Sequence, residues 1–265
     1  RYRALAFVKG ESLAKEKDRE VSKDEVHTWP YLVRVEFLAA IIMTIILMVW
    51  AVALDAPLED PSDPTLTPNP AKAPWYFLGL QEMLVYFDPW IAGVMYPSLI
   101  VIGLMVIPYV DVNPKGNGYY TLKERKFAVF TFCFGFHVLW VSLIIVGVFM
   151  RGPGWLWFWP WETWDAHRVV AETNYDLAQF IGTDSKSFFG SVIGGGVVAF
   201  YYFATMTIPY LFLKLIGSET LEKLGIIRYS IVAFLFWTMM TLPIKMFLKL
   251  VFHMKYIWVT PWFNI

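Results

Sequence analysis

The residues of this chain that could do chemistry are few, and they do not form a metal-binding pattern. Its four histidines are His27, His137, His167 and His253, and no two of them lie on one apolar segment at a useful spacing. Cys133 is the single cysteine, so neither an internal disulfide nor a Cys-x-x-Cys-His haem attachment is expected. A lone histidine in an apolar segment, such as His137, more often bonds to a neighbouring helix than to a metal. We therefore predict no haem or metal ligand in this chain.

A second chemical feature is an aromatic run that contains one carboxylate. It starts at Pro74, which suits the first position of a helix, and continues with Trp75, Tyr76 and Phe77. We expect a short helix from Trp75 to Phe87 at the outer membrane interface. On such a helix, at about 100° per residue, Trp75 and Glu82 would share one face, with Gly79 between them. A partly buried carboxylate there can accept a proton; the alternative is that Glu82 faces water or lipid headgroups.

The elements around these residues are apolar segments of membrane-spanning length. Hydrophobic residues make up 57% of the 265 residues, which is outside the range of soluble domains. A span needs roughly 20 apolar residues. We predict an all-α polytopic protein with spans at Phe37 to Leu54, Trp90 to Val110, Phe127 to Met150, Phe188 to Leu213 and Tyr229 to Ile244. The fifth is short unless its helix continues past Lys245 and Lys249.

Charges near the spans predict the orientation. Lysine and arginine are frequent in the N-terminal tail, in the loop after the second span and in the loop after the fourth span. These three segments fall on one side if there are five spans, so we expect a cytoplasmic N-terminus. The net charge of zero offers no basic surface for nucleic acid.

Two outer loops have unusual compositions. The first is rich in proline before Pro74, which makes it stiff and extended. The second carries five tryptophans, Trp155, Trp157, Trp159, Trp161 and Trp164. Tryptophan at this density is typical of an interfacial belt, and a surface for a partner protein is the alternative.

From His27 to Met150, the order of these elements resembles the C-terminal half of cytochrome b, and especially subunit IV of the cytochrome b6f complex and its bacterial relatives. The resemblance rests on Trp29 and Pro30 before the first span, the Pro-rich loop, the Pro74-Trp75-Tyr76-Phe77 segment, and Pro108 to Asn113 closing the second span. Taken singly, none of these features is specific to this family. Their order and spacing, taken together, are specific to it.

The resemblance implies a quinol-oxidation site in the first outer loop. The family carries a Pro-Glu-Trp-Tyr motif there, and its glutamate is assigned a part in accepting a proton from quinol. Aligning Trp75 and Tyr76 with this motif puts Pro74 at the glutamate position, so the carboxylate is absent. We predict that Glu82 replaces it as the catalytic residue, and that Pro74, Trp75, Tyr76, Phe77 and Gly79 bind quinol.

The resemblance also implies cofactors and partners. The chain would bind no cofactor through its own ligands. It would work beside a haem-bearing cytochrome b subunit, a Rieske-type protein with a 2Fe-2S cluster and a c-type cytochrome, in a dimeric complex. In b6f relatives an extra c-type haem lies near the inner quinone site, and Phe37 is placed by position to contact it. The missing glutamate and the extra spans favour a bacterial enzyme, with menaquinol as a candidate substrate.

These features divide the chain into a cytoplasmic polar tail (1–30), a three-span quinol-site module (31–150), the Trp-rich outer loop (151–187) and two additional spans (188–265). We expect the last two spans to dock another subunit or lipid, because Gly194, Gly195 and Gly196 allow close helix approach. The alternative to a redox subunit is a membrane anchor or transporter-like protein, in which the aromatic helix is only an interfacial brace.

Overall fold

The computed structural model describes residues 27–55, 61, 63–65, 67–112, 122–123 and 125–265. Most of the predicted cytoplasmic tail therefore lies outside the described residues. Within them the chain is helical and contains no β-strand, which confirms the all-α prediction. The chain forms two compact units, divided between Pro64 and Thr65.

In the part of the chain that the structure describes, five helices are long and apolar enough to cross a membrane, as predicted. We name them spans one to five: Thr28–Ala53, Ile91–Val110, Lys126–Met150, Phe188–Leu215 and Glu219–Phe252. Span five continues past Lys245 and Lys249, as its predicted length required, and its helix is interrupted near its start at Gly225. Apolar side chains along the spans are exposed in the chain itself, as expected where lipid or another subunit covers them.

The short helix before span two differs from its prediction. It covers only Leu78–Met83 and not Trp75 to Phe87. Before it, the backbone N–H groups of Phe77 and Leu78 donate to the Pro74 carbonyl in a turn. After it, the Leu84, Val85 and Tyr86 N–H groups bond three residues back instead of four, which tightens and ends the helix.

The buried core surrounds this short helix at one end of the bundle. It contains Met83, Tyr86, Phe87, Ile91, Ala92, Tyr96, Leu139, Leu143 and Leu242. These residues come from the short helix and its following turn and from spans two, three and five. Span five is thus part of the packing around the predicted quinol-site segment, although the sequence grouped it with span four as an addition.

Hydroxyl groups add polar links between the spans. The Tyr96 hydroxyl on span two donates to the Thr238 carbonyl on span five at 3.2 Å. The Tyr202 hydroxyl on span four lies 3.0 Å from Thr238 Oγ1. Such bonds between membrane helices stabilise one arrangement, because lipid offers no competing partner.

The glycine run of span four packs against the chain's own C-terminal segment. A Cβ atom at Gly194 would lie 2.5 Å from the Ile257 carbonyl oxygen, and one at Gly195 would lie 3.2 Å from the Trp258 ring. A Cβ atom at Gly196 would meet nothing within 4 Å. Two of the three glycines therefore serve packing within this chain, where the sequence predicted approach by another helix.

Candidate quinol-site segment

Glu82 is the centre of a buried polar cluster. Its side chain has no exposed surface, and Arg151, which follows span three directly, is 7% exposed. Arg151 Nη2 donates to Glu82 Oε1 at 2.6 Å and Arg151 Nε donates to Oε2 at 2.9 Å. The bidentate pair joins the short helix to the start of the Trp-rich loop across 69 residues of sequence.

Two aromatic side chains complete the contacts of this carboxylate. The indole N–H of Trp155 donates to Glu82 Oε2 at 3.2 Å, and the Tyr86 hydroxyl donates to Oε1 at 3.3 Å. Burial raises the pKa of Tyr86 to about 12, and the negative charge of Glu82 contributes to the rise. The alternative placement of Glu82, towards water or headgroups, is therefore wrong.

The three aromatic residues of the motif directly precede the short helix and are exposed. Trp75 is 67% exposed, and Tyr76 and Phe77 are each 51% exposed. The rings of Trp75 and Tyr76 meet edge to face with centroids 5.7 Å apart, and those of Tyr76 and Phe77 are 4.8 Å apart. We call these residues the aromatic triplet; its rings contact one another and leave more than half of their surface uncovered.

Two details of the predicted site are wrong in this geometry. Trp75 and Glu82 do not share a helical face, because the helix begins only at Leu78. The space predicted for a quinone ring at Gly79 is filled by Trp140 of span three, whose ring would lie 3.2 Å from a Cβ at that position. Gly79 therefore permits close packing of the short helix on span three.

The Pro-rich loop is fixed to its surroundings by side-chain bonds. Gln81 donates to the Ala71 carbonyl at 2.9 Å and accepts from the Ala73 N–H at 2.9 Å. Lys72 Nζ donates to the Val148 carbonyl at 2.8 Å and lies 4.7 Å from the centre of the Trp164 ring. Burial lowers the pKa of Lys72. These bonds hold the loop directly before the triplet, as the proline content suggested.

An open cleft of about 590 Å³ lies between the Pro-rich loop and the Trp-rich loop. It is lined by Thr67, Pro68, Asn69, Pro70, Ala71, Gln81, Leu84, Val85, Gly154 and Trp155. None of the predicted quinol-binding residues is among them. The Gly154 N–H donates to Asn69 Oδ1 at 2.7 Å, which links the two loops.

The remaining predicted positions lie on spans one and three. Phe37 lies on span one and is 66% exposed. His137 contacts the rings of Phe132 and Phe136 on its own helix. Among the described residues no three His, Cys, Asp or Glu side chains come together as a metal site. The absence of a haem ligand and the haem contact of Phe37 stay predictions.

The sequence did not predict the contacts around Glu82 and the Pro-rich loop that five residues make: Arg151, Trp155, Tyr86, Gln81 and Lys72. The available signal was the position of Arg151, a cation that directly ends a 25-residue apolar helix. A charge at such a place commonly has a partner. Its partner, Glu82, is 69 residues away in sequence, so the sequence alone did not predict the pair.

A known protein family matches the part of the chain that contains these residues. Residues 61–157 match the model of the family described as Cytochrome b(C-terminal)/b6/petD. This segment is similar to the C-terminal part of cytochrome b. The match confirms the resemblance for the Pro-rich loop, the aromatic triplet and spans two and three, and it includes Arg151 and Trp155. Span one, which the resemblance also covered, lies outside the match, as do spans four and five, and no solved structure matches the chain.

Proposed function

We propose that this chain is a subunit of a membrane quinol:cytochrome c oxidoreductase and supplies one wall of its outer quinol-oxidation site. The family match supports a subunit of a cytochrome bc-type complex, and the five spans support a multi-pass membrane protein. In this proposal a haem-bearing cytochrome b subunit and a Rieske-type protein complete the site, and a c-type cytochrome receives electrons. The chain is not catalytic alone.

The observation that carries the proposal is the exposure of the aromatic triplet. Trp75, Tyr76 and Phe77 directly precede a short helix with four buried residues, yet their rings are largely uncovered. Aromatic side chains that remain open beside a fixed loop are suited to bind a flat ring. In this proposal the opposite wall would come from the partner subunit.

The chemistry assigned to the site is the oxidation of quinol, with menaquinol as the candidate. One electron would pass to the iron-sulfur cluster and one to the b haems, and the protons would leave on the outer side. Pro74, Trp75, Tyr76 and Phe77 would position the ring. Glu82 is the proposed proton acceptor, and its contacts impose a condition: at least one bond to Arg151 must open first.

The proposed location is a bacterial inner membrane with a cytoplasmic N-terminus. Segments from three spans meet at one end of the bundle, as the predicted topology requires. Glu82 precedes span two, Arg151 follows span three, and Asn264, beyond span five, donates to Asp88 Oδ2 at 3.2 Å. The proposal assigns this end to the outer side.

The test is purification of the complex through an affinity tag on this chain. A reduced-minus-oxidised spectrum should show b haems, and added quinol should reduce them. Trp75→Ala and Tyr76→Ala should lower the quinol oxidation rate at least about tenfold, because they remove ring contacts. Trp161→Ala, which removes an even more exposed tryptophan elsewhere, is the control. A spectrally silent chain that purifies alone would favour the membrane-anchor alternative.

A further inference from the structure

His137 lies in the middle of span three. It follows Lys126 by eleven residues and precedes Met150 by thirteen, so at 1.5 Å per residue either end of the helix is more than about 15 Å away. At that depth a span is surrounded by hydrocarbon, and no water is present to bond a polar group. An imidazole carries at least one N–H donor. A histidine at this place therefore needs a partner within protein.

The His137 side chain points away from the core of its own chain. Gly135 and Leu139 each lie two residues from it, about half a helical turn. Leu139 is buried in the core, and a Cβ atom at Gly135 would lie 2.8 Å from the sulfur of a methionine on span five. On the other side, Phe130, Cys133 and His137 follow one another at three- and four-residue spacing and are all exposed. We call these three residues the histidine face.

No contact within the described part of the chain bonds the ring nitrogens of His137. Its contacts are edge-to-face packing against the rings of Phe132 and Phe136 on its own helix, with centroids 6.4 and 5.2 Å away. A hydroxyl group in a span can bond its own helix, as Thr44 does to the Ala40 carbonyl at 2.8 Å. His137 makes no such bond. The histidine face is therefore apolar except for the imidazole and the thiol of Cys133.

From this placement we propose that the histidine face is the contact surface for a membrane-spanning helix of a different subunit, which presents an oxygen acceptor to His137 at the middle of the bilayer. Lipid does not fit, because acyl chains carry no acceptor. A second copy related by a twofold axis would bring only the same imidazole and the thiol of Cys133, which is a weak hydrogen-bonding group. The inference goes beyond the proposed function, since it does not depend on quinol oxidation.

The test measures subunit association in the complex purified through this chain. Wild type and His137→Leu are compared at increasing detergent concentration, and the ratio of each other subunit to this chain is measured by quantitative mass spectrometry. His137→Leu should weaken the association of one membrane subunit by about threefold to tenfold, because the acceptor on that subunit is left unpaired in hydrocarbon. His137→Gln should recover much of the loss, because its amide group keeps a donor and an acceptor.

Facing lipid would give the opposite result. Removal of a polar group from a lipid-facing surface stabilises a membrane protein, so His137→Leu would then leave association unchanged or raise it. Phe149→Leu is the control. It removes a ring at an exposed position of the same span without removing a polar group, and it should leave association unchanged.

A photo-cross-link tests the same surface with His137 in place. The photoreactive residue p-benzoylphenylalanine replaces Phe130 in the assembled complex, and the product is identified by mass spectrometry. A cross-link to a different membrane subunit is expected. Products confined to lipid, to a second copy or to this chain itself would overturn the inference, and this measurement decides the case if the His137 variants do not assemble.

Three results of the association experiment would also overturn the inference. The first is unchanged or stronger association of every subunit in His137→Leu. The second is an equal loss in Phe149→Leu, which would show that ring area and not the polar group makes the contact. The third is loss of haem absorbance in His137→Leu with all subunits retained, which would make His137 an iron ligand. A complex that assembles as expected and oxidises no quinol would refute only the proposed function.

Discussion

The two sides of the segment from Pro74 to Phe87 are built differently. One side is complete within the chain: the Glu82 carboxylate has four donors, and Met83 and Phe87 lie in the core. The other side presents three aromatic rings with more than half of their surface uncovered. Under the proposed function, the chain fixes the segment by itself and another subunit covers the exposed rings. The two sides should therefore respond differently to mutation.

The largest expected effect is on the closed side. Glu82→Ala should destabilise the chain by about 3–5 kcal/mol, because it leaves the buried Arg151 charge without its partner. Thermal unfolding of the chain in detergent, followed by circular dichroism, measures this. The double variant Glu82→Leu, Arg151→Leu should recover a large part of the loss. Equal destabilisation by the single and double variants would show that the ion pair is not the cause.

A smaller effect is expected where the short helix contacts span three. Gly79→Val should cost about 1–3 kcal/mol, because a Cβ atom there would already lie 3.2 Å from the Trp140 ring. Gly93→Val is the matched control, since a Cβ at that position meets nothing within 4 Å. Equal unfolding temperatures of Gly79→Val and wild type would contradict the close packing.

Mutation of the exposed aromatic triplet should leave stability nearly unchanged and lower activity. Phe77→Ala should change the unfolding free energy of the isolated chain by no more than about 0.5 kcal/mol, as for other exposed positions. The same variant should lower quinol oxidation by the assembled complex. If Phe77→Ala lowers the free energy of unfolding as much as Gly79→Val does, Phe77 is instead part of the packing within this chain.

A modest effect on stability is expected at Tyr86. Tyr86→Phe removes only a 3.3 Å bond from a neutral donor to Glu82, so it should cost about 1 kcal/mol. The pKa of Tyr86, raised to about 12 from 10, adds a pH dependence. The folded state holds this proton more tightly than the unfolded state, so its contribution is complete below pH 10 and is lost as pH rises through 12. Tyr86→Phe should lack that loss.

The sequence predicts the fold better than it predicts the site. Uncharged runs located all five spans, because hydrocarbon thickness sets the length of an apolar helix. The bounds of the helix at Leu78–Met83 could not be predicted from the sequence. They depend on side-chain bonds of Gln81 and on the turns before and after the helix. The pairing of Glu82 with Arg151 is a tertiary contact between residues 69 positions apart. Such contacts have no local pattern in a single sequence.

The most direct test is quinol-driven reduction of b haems in the complex purified through this chain, comparing wild type with Trp75→Ala. We predict that haem reduction accompanies the wild-type chain and slows at least about tenfold in the variant, while haem content and assembly stay the same. Equal reduction rates in the two complexes would contradict the role of the aromatic triplet. A purified chain without b haems would contradict its membership of a quinol-oxidising complex.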